Sequence, residues 1–165
     1  MSLTRDIAAT YRGPARVMRR LLAAGPRESS ALAILMGACV IFFVSSWPRL
    51  AREAYINEED LNALLGGALM AWLFIMPLVL YLLGFIVFGV LRAISARADA
   101  QVVRLALFWA LLASSPLVLL WGLVAGFIGP GIERDLVGAI WFICFLWFWL
   151  SGTAETLRER AANGL

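Results

Sequence analysis

The chain of 165 residues has no histidine and no lysine, and only two cysteines. Without imidazole there is no His-ligated haem, chlorophyll or non-haem iron, no His-based zinc site and no His proton relay. Cys39 and Cys144 lie inside apolar runs and have no CxxC spacing, which fits apolar packing rather than a disulfide or a metal site. A nucleotide-binding glycine loop, a nucleophile paired with a base, a metal signature, a lipidation tail and an internal repeat are also missing. The sequence therefore predicts no cofactor, no enzymatic activity and no nucleic-acid partner.

Charge is scarce where hydrophobicity is high. Leu61 to Leu91 is thirty-one residues without a charge, and Ala31 to Pro48, Leu105 to Ile132 and Leu136 to Ala154 are also uncharged. With 62% hydrophobic residues there is too little polar sequence to cover a soluble core. Each run approaches or exceeds the about 20 residues that cross a bilayer. The expected fold is all-α: a polytopic bundle of four transmembrane helices (about 31–48, 61–91, 105–132 and 136–154 in a unit 31–154), preceded by a basic segment 1–30 and followed by a tail 155–165 that reads as a short solvated helix. No ionisable residue is expected near the centre of a span, which argues against ion pumping.

All fourteen basic residues are arginine. Eleven fall in the amino-terminal segment, the loop between the second and third runs and the tail: Arg5, Arg12, Arg16, Arg19, Arg20, Arg27, Arg92, Arg97, Arg104, Arg158 and Arg160. Only Arg49, Arg52 and Arg134 fall on the other side. The positive-inside rule then places both termini in the cytoplasm of a bacterial inner membrane. No cleavable signal peptide is visible, so the first span is expected to act as an uncleaved signal.

Residues 2–12 are compatible with a short helix. Gly13-Pro14 and Gly25-Pro26 then bracket a stronger one. Val17, Met18, Leu21 and Leu22 share a face of it, and Arg16, Arg19 and Arg20 occupy or flank the other. The pattern suits a helix lying on an anionic cytoplasmic leaflet, or arginines that only set orientation. The first span is expected to end with Trp47 as interface anchor and Pro48 as stop. Glu53, Glu58, Glu59 and Asp60 follow. They lack the alternating ligands of a calcium loop, and the expected arrangement is an Asn57 N-cap with three carboxylates at the positive end of the next helix.

Two stripes of small residues invite close helix packing: Ala63, Gly67 and Ala71 in the second span, and Ala106, Ala110 and Ser114 continued by Gly122 and Gly126 in the third. Pro77 and Pro116 interrupt these spans. Pro77 removes the backbone bond to Leu73 and is expected to fix a bend, while Ser114 and Ser115 stand ready to bond the backbone freed by Pro116. Gly129-Pro130-Gly131 predicts a tight turn into a fourth span carrying Trp141, Phe142, Phe145, Trp147, Phe148 and Trp149. Trp147 and Trp149 are placed at the cytoplasmic interface. Trp141, Phe145 and Phe148 share a face suited to a lipid, a pigment or another protein, with packing inside the bundle as the default.

The basic amphipathic helix, Ala-Ala-Gly-Pro at 23–26, the first span and Trp47-Pro48-Arg49-Leu50-Ala51-Arg52-Glu53 resemble bacterial members of the Yip (Ypt-interacting protein) membrane family, and the proline-broken later spans fit that layout. The resemblance implies a non-enzymatic polytopic protein. The Asp-Leu-Tyr-Gly-Pro motif of eukaryotic members and one of the family's usual five spans are absent, so GTPase binding is not carried over. The reading that follows is a protein acting through association with membrane lipids, anionic at the cytoplasmic face, with other membrane proteins or with itself. The paired prolines leave a small channel or a lipid or solute transporter as the alternative.

Overall fold

The computed structural model describes residues 3–25, 27–94 and 99–162, with side chains given as far as Arg158. Pro26, Arg97, the Arg160 side chain and residues 163–165 lie outside the described residues. Every described element is a helix: α1 (Leu3–Thr10), α2 (Pro14–Ala23), α3 (Glu28–Asn57), α4 (Leu61–Met70), a π-helical turn (Ala71–Ile75), α5 (Met76–Ile94), α6 (Ala100–Ala113), α7 (Ser115–Phe127) and α8 (Ile132–Ala162).

The molecule is built round α6. A helix apolar on all sides must be enclosed, and Val102, Val103 and every residue from Leu105 to Ala113 are buried. Helices α1, α3, α5 and α8 pack about it. Leu35, Ala38, Cys39 and Phe42 of α3 and Phe148 of α8 join its core, and Tyr81 of α5 lays its ring 5.1 Å from that of Phe108. Asp99 starts α6, its Oδ1 accepting the Gln101 N–H at 2.8 Å.

Three helices are long and apolar enough to cross a membrane: α3, the rod formed by α4, the π turn and α5 (Leu61–Ile94), and α8. Helices α6 and α7 meet at Ser114 with a bend of 45°, and together they make a fourth crossing if the pair is one span. Contacts at both ends show that α3 and the α6–α7 pair run in the same direction. At one end the Glu28 carboxylate opening α3 accepts from Tyr81 Oη of α5 and from Arg104 of α6, each at 2.9 Å. At the other, Arg52 near the end of α3 donates to the Gly126 and Phe127 carbonyls at 3.4 and 3.5 Å, satisfying the last turn of α7.

The 34-residue rod is one continuous helix. The bond that Pro77 removes is absorbed by the π turn just before it, where Met76 N–H reaches back to the Ala71 carbonyl, one residue further than in an α-helix. Much of the rod's surface faces outward, including Phe74, Leu78, Leu82 and Phe85, as it does where lipid is the solvent.

Three expectations are corrected. Pro48 does not stop the first span, because α3 runs through it to Asn57. The Ser45 and Ser46 hydroxyls bond the Phe42 and Phe43 carbonyls at 2.7 and 2.6 Å, and the proline ring is packed by α7 instead of breaking the helix. Asn57 is not an N-cap. It closes α3, Glu58 turns the chain with φ +56°, and Asp60 caps α4 by accepting the Asn62 N–H at 3.0 Å. The apolar face of α2 is covered by protein: Val17 and Met18 are buried in the main core, and α2 packs on α8.

The amino-terminal hairpin α1–α2 is thus wedged against α6 and α8. Thr10 Oγ1 accepts from Trp109 Nε1 at 3.2 Å, and Tyr11 meets Phe148 edge-on at 5.0 Å. Tyr11 Oη is buried with no partner. Burial, and then the Cys144 thiol, push its phenol above its ordinary value of 10.0. The neutral phenol is the form the folded state prefers, so this contribution is intact below about pH 10 and is lost as pH rises through the raised value. The wild-type protein is expected to lose stability more steeply than Tyr11→Phe above about pH 10, and melting curves from pH 8 to 11 check this.

Candidate functional site

The residues singled out in the sequence fall into three environments. In the first, helices meet closely. A Cβ built on Gly122 strikes the Ser45 carbonyl, and one on Gly126 strikes the Pro48 ring and backbone, so α7 lies directly against α3. Ala106, Ala110 and Ser114 are fully buried on α6. Ala106 faces the position a Cβ on Gly152 of α8 would take, at 3.5 Å. The Ser114 hydroxyl donates to the Leu111 carbonyl at 3.0 Å and accepts from Trp141 Nε1 at 3.1 Å, pinning the break before Pro116 to α8.

The second environment is the outward face of the rod. Ala63 and Gly67 are exposed, and Ala71 is half-buried where the π turn begins. A Cβ on Gly66 or on Gly67 meets nothing within 4 Å. The stripe is open at Ala63 and Gly67 and half-covered at Ala71.

The third is the end where α1, α2 and the close of α8 gather. Arg16 and Arg20 line a cleft of about 350 Å³ together with Arg5 and Arg12. Arg19 points elsewhere and pairs with Glu155 of α8 at 3.3 Å. The expected trio is thereby divided, and two arginines outside it join the cleft. Arg5 lies on α1 and Arg12 in the turn that follows it, so no single helical face in the sequence marks the pair.

A further cavity of about 370 Å³ lies between α3, the π turn, α7 and α8. Phe42, Trp72, Trp121 and Trp141 wall it, Ser45 and Ser46 supply hydroxyls, and Arg49, paired with Glu53 at 2.8 Å, stands on its rim. Trp141 begins a ladder on α8, stacked on Phe145 at 6.0 Å, which in turn stacks on Trp149 at 6.0 Å. Trp147 faces outward. Trp72 and Trp121 had no distinguishing pattern in the sequence, since an isolated tryptophan in an apolar run reads as packing. Among the described residues no group of three or more acidic or cysteine side chains is gathered as a metal site requires.

No family model, no curated protein and no solved structure matches the chain.

Proposed function

We propose that the chain is a non-enzymatic, multi-pass membrane protein that acts by lateral association, presenting the α4 face of its rod to another transmembrane helix. The observation that carries this reading is the open face at Ala63 and Gly67, which Ala71 continues half-buried. In lipid, burying apolar area gives no drive for helices to associate, and close backbone approach at small residues supplies it instead. Here that surface is formed and left unfilled by the chain's own helices, whereas the Gly122 and Gly126 surface is already taken by α3. A Yip-like layout and the arginine-rich termini support the same reading, with the protein in a bacterial inner membrane and both ends in the cytoplasm.

Gly67→Leu is expected to abolish association while leaving the fold intact, because a Cβ there meets nothing within 4 Å and leucine replaces a poor helix former. Energy transfer between donor- and acceptor-labelled copies in vesicles reads self-association, and co-purification reads other partners. Unchanged transfer and an unchanged partner set in Gly67→Leu would remove the stripe from the proposal.

The aromatic cavity favours a second reading, a transporter of lipid or of an amphiphilic solute. Its walls are apolar and aromatic, and its rim carries a guanidinium, as suits a molecule with an apolar body and a polar head. Lipid scrambling or solute flux in reconstituted vesicles above protein-free controls is the result it requires.

A further inference from the structure

The cleft between α1 and α2 has a composition unlike the rest of the surface. Arg5 and Arg12 come from one side, Arg16 and Arg20 from the other, and Ala9 and Gly13 keep the floor between them low. Asp6 pairs with one of this set, 3.6 Å from Arg20, and four guanidiniums line the one cleft. Like charges brought together on two short helices repel. The hairpin nevertheless holds them there, because its other face is anchored by Thr10 on Trp109, Tyr11 on Phe148 and the burial of Val17 and Met18.

The geometry points to a binding site for a phosphate-bearing anion in this cleft, of the phosphomonoester or pyrophosphate class. Guanidinium forks match phosphate oxygens two at a time, and several forks converging on one concavity favour a compact, multiply charged group over the diffuse charge of a leaflet. The cleft has the volume of a headgroup and lies at the end of the bundle where α3 begins and α8 closes. A lipid headgroup and a soluble anion share this chemistry.

The test uses the full chain in discs of neutral phosphatidylcholine, and in the same discs doped with phosphatidic acid or with phosphatidylglycerol. Bound lipid is counted by native mass spectrometry, and pyrophosphate is titrated calorimetrically into the neutral discs. The expected result is one anion per chain in the phosphatidic acid arm, the pyrophosphate arm or both, and the arm that responds identifies the source. Phosphatidylglycerol, a phosphodiester, is expected to bind at least about tenfold more weakly than phosphatidic acid. The double variant R12Q/R16Q is expected to weaken binding by about tenfold or more, while R19Q, which removes one positive charge outside the cleft, leaves it unaltered. Unchanged melting of R12Q/R16Q separates a lost site from a lost fold, and single R12Q and R16Q variants replace it if the double variant melts early. No binding in either arm, equal retention of the two anionic lipids, or equal losses in R19Q and R12Q/R16Q would overturn the assignment.

Discussion

Leucine at both Gly122 and Gly126 is expected to separate α7 from α3 and to cost more than about 3 kcal/mol, a large part of the roughly 5–15 kcal/mol that holds an ordinary protein folded. The reason is the kind of atom in the way. A new side chain at either position runs into backbone, the Ser45 carbonyl in one case and the Pro48 backbone and ring in the other, and neither moves without displacing α3. The Arg52 bonds to the Gly126 and Phe127 carbonyls would be lost with the contact. Circular dichroism melting in lipid discs reads the effect, with Gly67→Leu as the matched control that adds the same side chain to open space. A double variant that melts like the wild type would mean that α3 and α7 are not in contact.

The second large effect is expected at the centre of the bundle. Phe108→Ala should destabilise by about 2–3 kcal/mol, somewhat less than a similar truncation in a soluble core. In lipid the displaced ring gains little from transfer, so the loss is chiefly the cavity left beneath Tyr81 and the α3 side chains. Phe85→Ala supplies the comparison, since Phe85 is 66% exposed on the rod and its removal leaves no cavity. Equal effects at the two positions would contradict a structure in which α6 is enclosed and the rod's outer face meets lipid.

Both contrasts bear on how much the sequence discloses. Uncharged runs of about membrane length made the apolar helices readable, and the tight turn at Gly129, φ +96°, was readable from its glycines and proline. The stripe at Gly122 and Gly126 was recognisable as a packing surface, but nothing in the sequence names the partner of such a surface. Hence Pro48, which sits on α3 opposite that stripe, reads in the sequence as a stop. A proline frees one carbonyl and adds a ring. When hydroxyls bond the carbonyls nearby and a glycine face receives the ring, the helix continues.

The amino-terminal hairpin shows a different limit. The face formed by Val17, Met18, Leu21 and Leu22 has the same period whether it lies on lipid or on α8, and only the tertiary fold distinguishes the two. The arginines on α2 likewise gave no sign of which neighbours they would meet. Arg19 turned to Glu155, while Arg16 and Arg20 turned to a cleft completed by a helix eight residues long. The Glu28, Tyr81 and Arg104 cluster joins three helices far apart in sequence, and no local spacing announces it.

Whether the chain works by association within the membrane is decided most directly by extracting the tagged wild-type protein from its own membranes into lipid discs without detergent, and measuring the assembled mass together with the co-purifying proteins. The expected result is a defined assembly larger than one chain, reduced to a single chain with lipid in the Gly67→Leu variant. A wild-type protein that emerges as one chain with lipid alone, indistinguishable from Gly67→Leu, would contradict it and leave direct action on lipid or solute through the aromatic cavity as the reading to pursue.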